Sequence, residues 1–220
     1  MSVIPKSVDL RDNLPPRFDQ QGLQSCTAHA TFVAYQYLNP GFSGSRMFQF
    51  YNTRKIQYYP YLFGDVGATI NAATQSLMKY GICDEPLFPY NTNNVLSLPP
   101  APCYTAASAN KIKSRSLINI NLTEMQKKLA NGFPLIIVIP IYSSFMAVRS
   151  NGIVKMPTAT DGYIGGHAVT IVGYTQTYWI VRNSWGIKWG DNGYCYFPIS
   201  YLADPKLKLC WEIWTIDKLE

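Results

Sequence analysis

Histidine is almost missing from this chain: there are two in 220 residues, His29 and His167. With so few imidazoles, and no Cys-x-x-Cys spacing among Cys26, Cys83, Cys103, Cys195 and Cys210, a transition-metal site finds too few ligands. No metal and no cofactor is expected. Charge is scarce as well. Asp, Glu, Lys and Arg make up 15% of the chain, and the net charge of +6 is scattered without a dense basic run, which argues against a nucleic-acid partner. Long apolar runs are also absent. The longest aliphatic stretch, from Pro134 to Ile141, falls far short of the roughly 20 residues that cross a bilayer, so no membrane span is expected. The first residues carry no basic patch followed by an apolar run and do not read as a secretory signal. There is no internal repeat and no low-complexity tract. The cysteine count is odd, leaving at least one thiol unpaired, and all four besides Cys26 are expected to be reduced; Cys83 with Cys103 and Cys195 with Cys210 are the pairs nearest in sequence if any are not.

What is present is apolar and aromatic. Hydrophobic residues make up 47%, with sixteen Tyr and five Trp, enough to fold around a sizeable core. Helix signals dominate the first half. Ser25 is placed to cap a helix over 26–38 that the Asn39, Pro40, Gly41 break ends. A second helix is expected from about Gly67 and Ala68 to Tyr80, stopped by Gly81. Thr123 and Gln126 have capping-box spacing before a short helix ending at Gly132. The five prolines between Pro86 and Pro102 read as an irregular connection. From Phe133 onward, short β-rich runs alternate with Gly, Asn and Asp, at 135–142, 152–155, 167–174, 178–181, 194–197 and 211–216, suggesting a small antiparallel sheet or half-open barrel.

The chemistry-bearing residues fall in four places. Cys26 opens the first helix, where free amides and the helix dipole favour a thiolate. Gln20, six residues earlier, offers a side-chain amide to an oxyanion. His167 follows Gly165 and Gly166 at the start of a strand, and Asn183 lies sixteen residues beyond it. The separations from Cys26, 141 residues to His167 and 157 to Asn183, are near the roughly 130–150 of one group of thiol hydrolases. His29 sits one turn past Cys26 in the same helix. A catalytic base approaches its thiol from across a cleft, so His29 reads as a packing residue.

Taken together, these segments resemble a papain-like cysteine peptidase of the papain and cathepsin family, over essentially the whole chain. Residues 8–11 resemble the start of a mature enzyme, 20–28 the oxyanion and nucleophile segment, and 166–168 the base segment. The run 183–190, Asn-Ser-Trp-Gly-Ile-Lys-Trp-Gly, with 191–194 behind it, resembles the segment that orients the base and is the most specific of these motifs. Residues 65–70 and 79–85 look more like the microbial and viral branch than the lysosomal cathepsins. Thr27 stands where the family usually has tryptophan and Gln24 where it has glycine, the latter near enough to crowd the oxyanion hole. The cysteine that anchors the nucleophile loop in secreted relatives is missing, and because the mature-like sequence starts within ten residues of Met1, no long propeptide is expected.

The resemblance implies an α+β, two-lobed papain-like fold. A helical left lobe, about residues 20–110, would face an antiparallel, β-barrel-like right lobe, about 111–220, across an active-site cleft within a single catalytic domain. It implies an endopeptidase or exopeptidase working through a thioester acyl-enzyme: Cys26 the nucleophile, His167 the acid and base, Asn183 its orienter, the Gln20 side chain and the Cys26 amide the oxyanion hole, and Trp185 the shield over the Asn183–His167 contact. Gly67, Ala68, Ile70, Val138 and Ala168 would bind substrate, with Trp211 or Glu212 at the floor of the main pocket. The expected partner is a peptide or protein substrate, and the expected location is inside a cell or in a virion. Two alternatives share these residues: a Cys-His acyltransferase or amidase acting on a non-peptide amide, and a catalytically weak papain-fold binding module.

Overall fold

In the computed structural model, which describes residues 3–61 and 64–220, the first helix carries almost no polar face. Helix α1 (Cys26–Leu38) is buried at every position from Thr27 to Gln36. A helix that is apolar all round belongs inside a protein. Accordingly α1 packs on one side against α2 (Arg46–Tyr58) and α3 (Ile70–Lys79) and on the other against the sheet. Its predicted cap differs: the Ser25 hydroxyl bonds the Tyr90 hydroxyl at 2.7 Å, and no side chain caps the helix. Helix α3 begins at Ile70 rather than near Gly67, because Thr69 Oγ1 accepts the Ala72 amide at 3.1 Å. Helix α4 (Ala101–Ala107) starts within the expected Pro-rich connection, with Pro102 in its first turn, where proline is tolerated.

Helix α2 has no counterpart among the sequence expectations. Its inward face carries Gln49, Asn52, Thr53 and Arg54, all fully buried, which hides any apolar period. Each donates to backbone: Gln49 to the Ala73 carbonyl at 2.8 Å and Asn52 to that of Phe48 at 3.0 Å. Thr53 donates to the Gln49 carbonyl at 2.7 Å, and Arg54 to those of Gly64 and Val95 at 2.5 and 2.6 Å.

The remainder is β2 (Ile112–Ile118), α5 (Leu122–Ala130), β3 (Leu135–Tyr142), α6 (Ser143–Met146), β4 (Tyr163–Tyr174), β5 (Tyr178–Arg182), β6 (Tyr194–Pro198), α7 (Ile199–Ala203) and β7 (Glu212–Leu219). The α5 cap is Asn121, which accepts the Glu124 amide at 2.8 Å, in place of the expected Thr123. The strands form one antiparallel sheet in the order β2-β7-β3-β4-β5-β6, with the short N-terminal β1 (Val8–Asp9) added to β4. Among the described residues the edge strands β2 and β6 do not pair, so the sheet is open and the half-open barrel is not closed. The expected strand at 152–155 is reduced to a single bridge, Ile153 to Tyr196. Strand β4 is longer than expected. Its first residues, Tyr163 to Gly166, are mostly exposed and pair only with the end of β3, while from His167 onward it is buried. β5 joins it only from Thr170.

All five cysteines are free thiols, as expected, and all but Cys26 are buried.

Candidate active site

Cys26 is the first residue of α1, and the cleft in front of it, about 360 Å³, is lined by His167 as well. The residue keeps partial exposure, yet enough protein surrounds its sulfur that burial pushes the thiol up; the amides of Ala168, Thr27 and Cys26 itself act the other way. His167 stands on β4 opposite Ile139 of β3. Its Nε2 lies 2.7 Å from Asn183 Oδ1, which also accepts the Ser184 amide at 2.8 Å. Because the Ser184 N–H needs an acceptor, that atom is the carboxamide oxygen. It follows that neutral His167 carries its proton on Nε2 and leaves Nδ1 as the base. The chain brings these two together by a short route, since Asn183 directly follows β5, the strand beside β4. The Trp185 ring covers the imidazole at 4.8 Å between centroids, tilted by 31°.

Gln20 is fixed from both ends of its amide. Ser184 Oγ donates to Oε1 at 2.6 Å, and Nε2 donates to the Leu23 carbonyl at 2.8 Å, which leaves one amide hydrogen uncommitted. Its backbone amide also donates to the Ser184 carbonyl at 2.7 Å. Gln24 is exposed on the cleft, its backbone amide bonded to Asp65 Oδ1 at 2.9 Å.

Of the expected substrate contacts, Gly67, Ala68, Val138 and Ala168 line the cleft. Ile70 does not: it is fully buried and packs in the core with Phe32 and Leu77, because the Thr69 cap turns the first residue of α3 inward. Trp211 and Glu212 both line the cleft rather than one of them. Trp211 lies against Gly166, where an added Cβ would stand 3.0 Å from its ring. Glu212 accepts from Trp214 Nε1 at 3.1 Å. Gln57 and Thr69 line the same cleft and are bonded to each other, Gln57 Oε1 accepting from the Thr69 amide at 2.7 Å. Sequence reasoning could not find Gln57 without α2.

His29 lies outside that cleft, fully buried, with Nδ1 3.0 Å from the Ser25 carbonyl. Burial, reinforced by Arg46, pulls its pKa down to about 3, and burial pulls that of His167 to about 4 against the opposing bond from Asn183. Buried His29 is therefore neutral in the folded protein where the unfolded chain, at 6.5, takes up protons, and so is His167 while the Cys26 thiol keeps its own proton. Stability is expected to be fully present above pH 6.5 and to fall as pH drops from there toward 4. Asp9, held low by Arg11, acts only below that window. Urea unfolding at pH 7.5 and at pH 5 checks this: the midpoint should be lower at pH 5 with an unchanged slope, and equal midpoints would contradict it.

Among the described residues no cluster of His, Cys, Asp and Glu could hold a metal ion, and no helix is long and apolar enough to cross a membrane.

Comparison with known proteins gives concordant results. The family model described as papain family cysteine protease matches residues 4–201. A peptidase C1-like protein of Acanthamoeba polyphaga mimivirus is 34% identical over 219 residues, covering 91% of this chain and 69% of its own. Zingipain-2 of Zingiber officinale is 27% identical over 201 residues, covering 87% and 86%. Among solved structures, xylellain, a cysteine protease from Xylella fastidiosa, superposes with a TM-score of 0.90 at 30% identity, covering 99% of this chain and 88% of that one.

Proposed function

Since the chain belongs to the papain family of cysteine proteases, we propose that Cys26, His167 and Asn183 carry out its peptide hydrolysis, with Gln20 as the oxyanion donor. The observation that carries this reading is the His167–Asn183 hydrogen bond beside a cleft that Cys26 opens onto from a helix N-terminus. Taken singly, the thiol and the imidazole are each held neutral by burial. They titrate as a pair, however, and moving the proton from Sγ to His167 Nδ1 makes two opposite charges whose attraction offsets their desolvation. The thiolate then attacks the scissile carbonyl. The oxyanion is held by the Cys26 amide and the uncommitted Gln20 N–H, such donors being worth about 3–4 kcal/mol each. Collapse expels the amine, protonated by His167, and leaves a thioester that water, deprotonated by the same ring, hydrolyses. Asn183 keeps Nδ1 aimed at the sulfur while Trp185 excludes water from the bond behind it.

The test is labelling of the native protein with iodoacetamide, followed by mass spectrometry. Cys26 alone should be alkylated, because the other four thiols are at most 5% exposed. Labelling elsewhere, with Cys26 spared, would remove the nucleophile from this scheme.

The walls formed by Ala68, Val138 and Ala168 favour an aliphatic side chain two residues before the cut bond, worth about 1.5–3 kcal/mol on burial. Glu212 adds a second preference. It has no cation within ion-pair distance among the described residues, so Arg or Lys entering the pocket meets an unpaired carboxylate. In a positional-scanning peptide library, Leu and Val should lead at that position with Arg next. Glu212→Gln should lower cleavage of peptides with Arg at that position about tenfold while leaving those with Leu unchanged. A preference for Asp or Glu would refute the assignment.

A further inference from the structure

Behind the proposed triad, between α1 and the β4–β5 part of the sheet, lies a small second cavity. It has about 10 Å³ of room for a water's centre, at the lower edge of what one water molecule needs. His29, Asn183, Thr170 and Ser184 are among its walls. Two side-chain atoms of these residues are buried and find no partner: His29 Nε2 and Asn183 Nδ2. Their residues are 1% and 3% exposed.

Their polarities are complementary. His29 Nδ1 lies 3.0 Å from the Ser25 carbonyl and 3.3 Å from the Ser25 hydroxyl; with the proton on Nδ1, donated to the nearer carbonyl, Nε2 is a bare acceptor. Asn183 presents its oxygen to His167 and to the Ser184 amide, so its Nδ2 is a donor with no acceptor. An acceptor and a donor on one water-sized cavity call for a molecule that donates to the first and accepts from the second. We infer that His29 is a positioning residue, holding the Asn183 carboxamide through a single buried water and so fixing His167 from behind. This rests on the triad proposed above.

The groups around His29 keep it in the required form. Tyr90 meets its ring edge-on at 4.9 Å between centroids, and Phe18 stands at 6.5 Å. Arg46, Arg182 and His167 are the titratable groups that bear on it electrostatically, and all three oppose a positive charge there. The imidazole thus stays an acceptor across the working range. Without that acceptor the Asn183 amide group is left buried and unpaired, which loosens the carboxamide and with it the His167 ring.

The test compares His29→Phe, which keeps a ring but removes the acceptor, with His29→Gln, whose side-chain oxygen reaches near the Nε2 position. On a peptidyl arylamide, His29→Phe should lower kcat about tenfold with KM unchanged, and His29→Gln should restore most of it. The pH at which Cys26 becomes reactive to iodoacetamide should rise by about one unit in His29→Phe and return in His29→Gln. A crystal structure resolving ordered water should show one molecule bonded to both atoms in the native protein and none in His29→Phe. A native alkylation profile and kcat in His29→Phe would overturn the inference, as would a native cavity without that water. If His29→Phe fails to fold, the crystal structure and the His29→Gln profile still decide. Cys26→Ala, measured alongside, separates the two readings: its inactivity with an unaffected His29→Phe sinks only this one.

Discussion

Cys26→Ala is expected to lose peptide hydrolysis by at least about 10⁴-fold while its unfolding midpoint stays near native. In the proposed scheme the thiol forms the acyl bond through which the substrate is cut, and no other side chain lining the cleft is a nucleophile of comparable strength. Its removal costs little in packing, because the residue is only partly buried. Asn183→Ala belongs to a different class. It takes away the acceptor 2.7 Å from His167 Nε2, but the ring remains beneath Trp185 and finds the productive orientation part of the time. Its loss should cost roughly 10–100-fold less than that of Cys26. Steady-state kinetics on one peptide substrate for both variants decides the matter. Native turnover in Cys26→Ala would overturn the assignment of the nucleophile.

Gly81→Ala is expected to destabilise the fold by about 3–5 kcal/mol, a fall of roughly 6–20 °C in Tm for a chain of this size. Gly81 ends α3 at φ +75°, and its amide bonds the Leu77 carbonyl at 3.1 Å. The left-handed backbone alone would cost about 1 kcal/mol with alanine. The larger cost is steric, since the new Cβ would lie 1.9 Å from the Ala107 carbonyl oxygen and 2.9 Å from that of Asn110. Neither can retreat easily: Ala107 is fully buried at the end of α4, and the Asn110 carbonyl accepts the Ile82 amide at 3.2 Å. Gly162→Ala serves as control, because an added Cβ there meets nothing within 4 Å. Thermal unfolding of the two variants side by side checks the contrast, and equal midpoints would contradict it.

Fold and site were legible in the sequence to different depths, for physical reasons. The fold class and most strands could be read because the β3 run from Leu135 to Ile141 is apolar on both faces and is bounded by turn residues. Helix α2 could not, since its buried face mixes Met47, Phe48 and Phe50 with Gln49, Asn52, Thr53 and Arg54, and the partners of Gln49 and Arg54 lie elsewhere in the chain. Strand β2, Ile112–Ile118, stayed hidden because it is an edge strand with Lys113, Ser114, Arg115 and Ser116 at its centre. In the site, Cys26, His167, Asn183 and Gln20 stand out by residue type and motif; the fold lines one cleft with Cys26 and His167, bonds Asn183 to His167 and ties Gln20 to the adjoining Ser184. The pocket walls depend instead on where a helix begins. A start two or three residues later than expected sends Ile70 into the core and leaves Thr69 and Gln57 on the cleft. The His29–Asn183 cavity lies beyond any sequence reading, because its walls come from α1, β4 and the segment after β5, which meet only in the fold.

The uneven build of β4 has a mechanical consequence. Up to Gly166 the strand is half of a two-stranded ribbon, which is weak on its own; from Thr170 it is clamped between β3 and β5 inside the sheet. His167 stands at the root of this cantilever, where bending is least, and Tyr163 to Gly166, with the Trp211 ring against Gly166, form its springy end. The rim of the cleft therefore yields to a bulky substrate while the imidazole keeps its bearing. In hydrogen exchange, amide protection should step up sharply at the root, between residues 166 and 170, with the histidine on the rising edge.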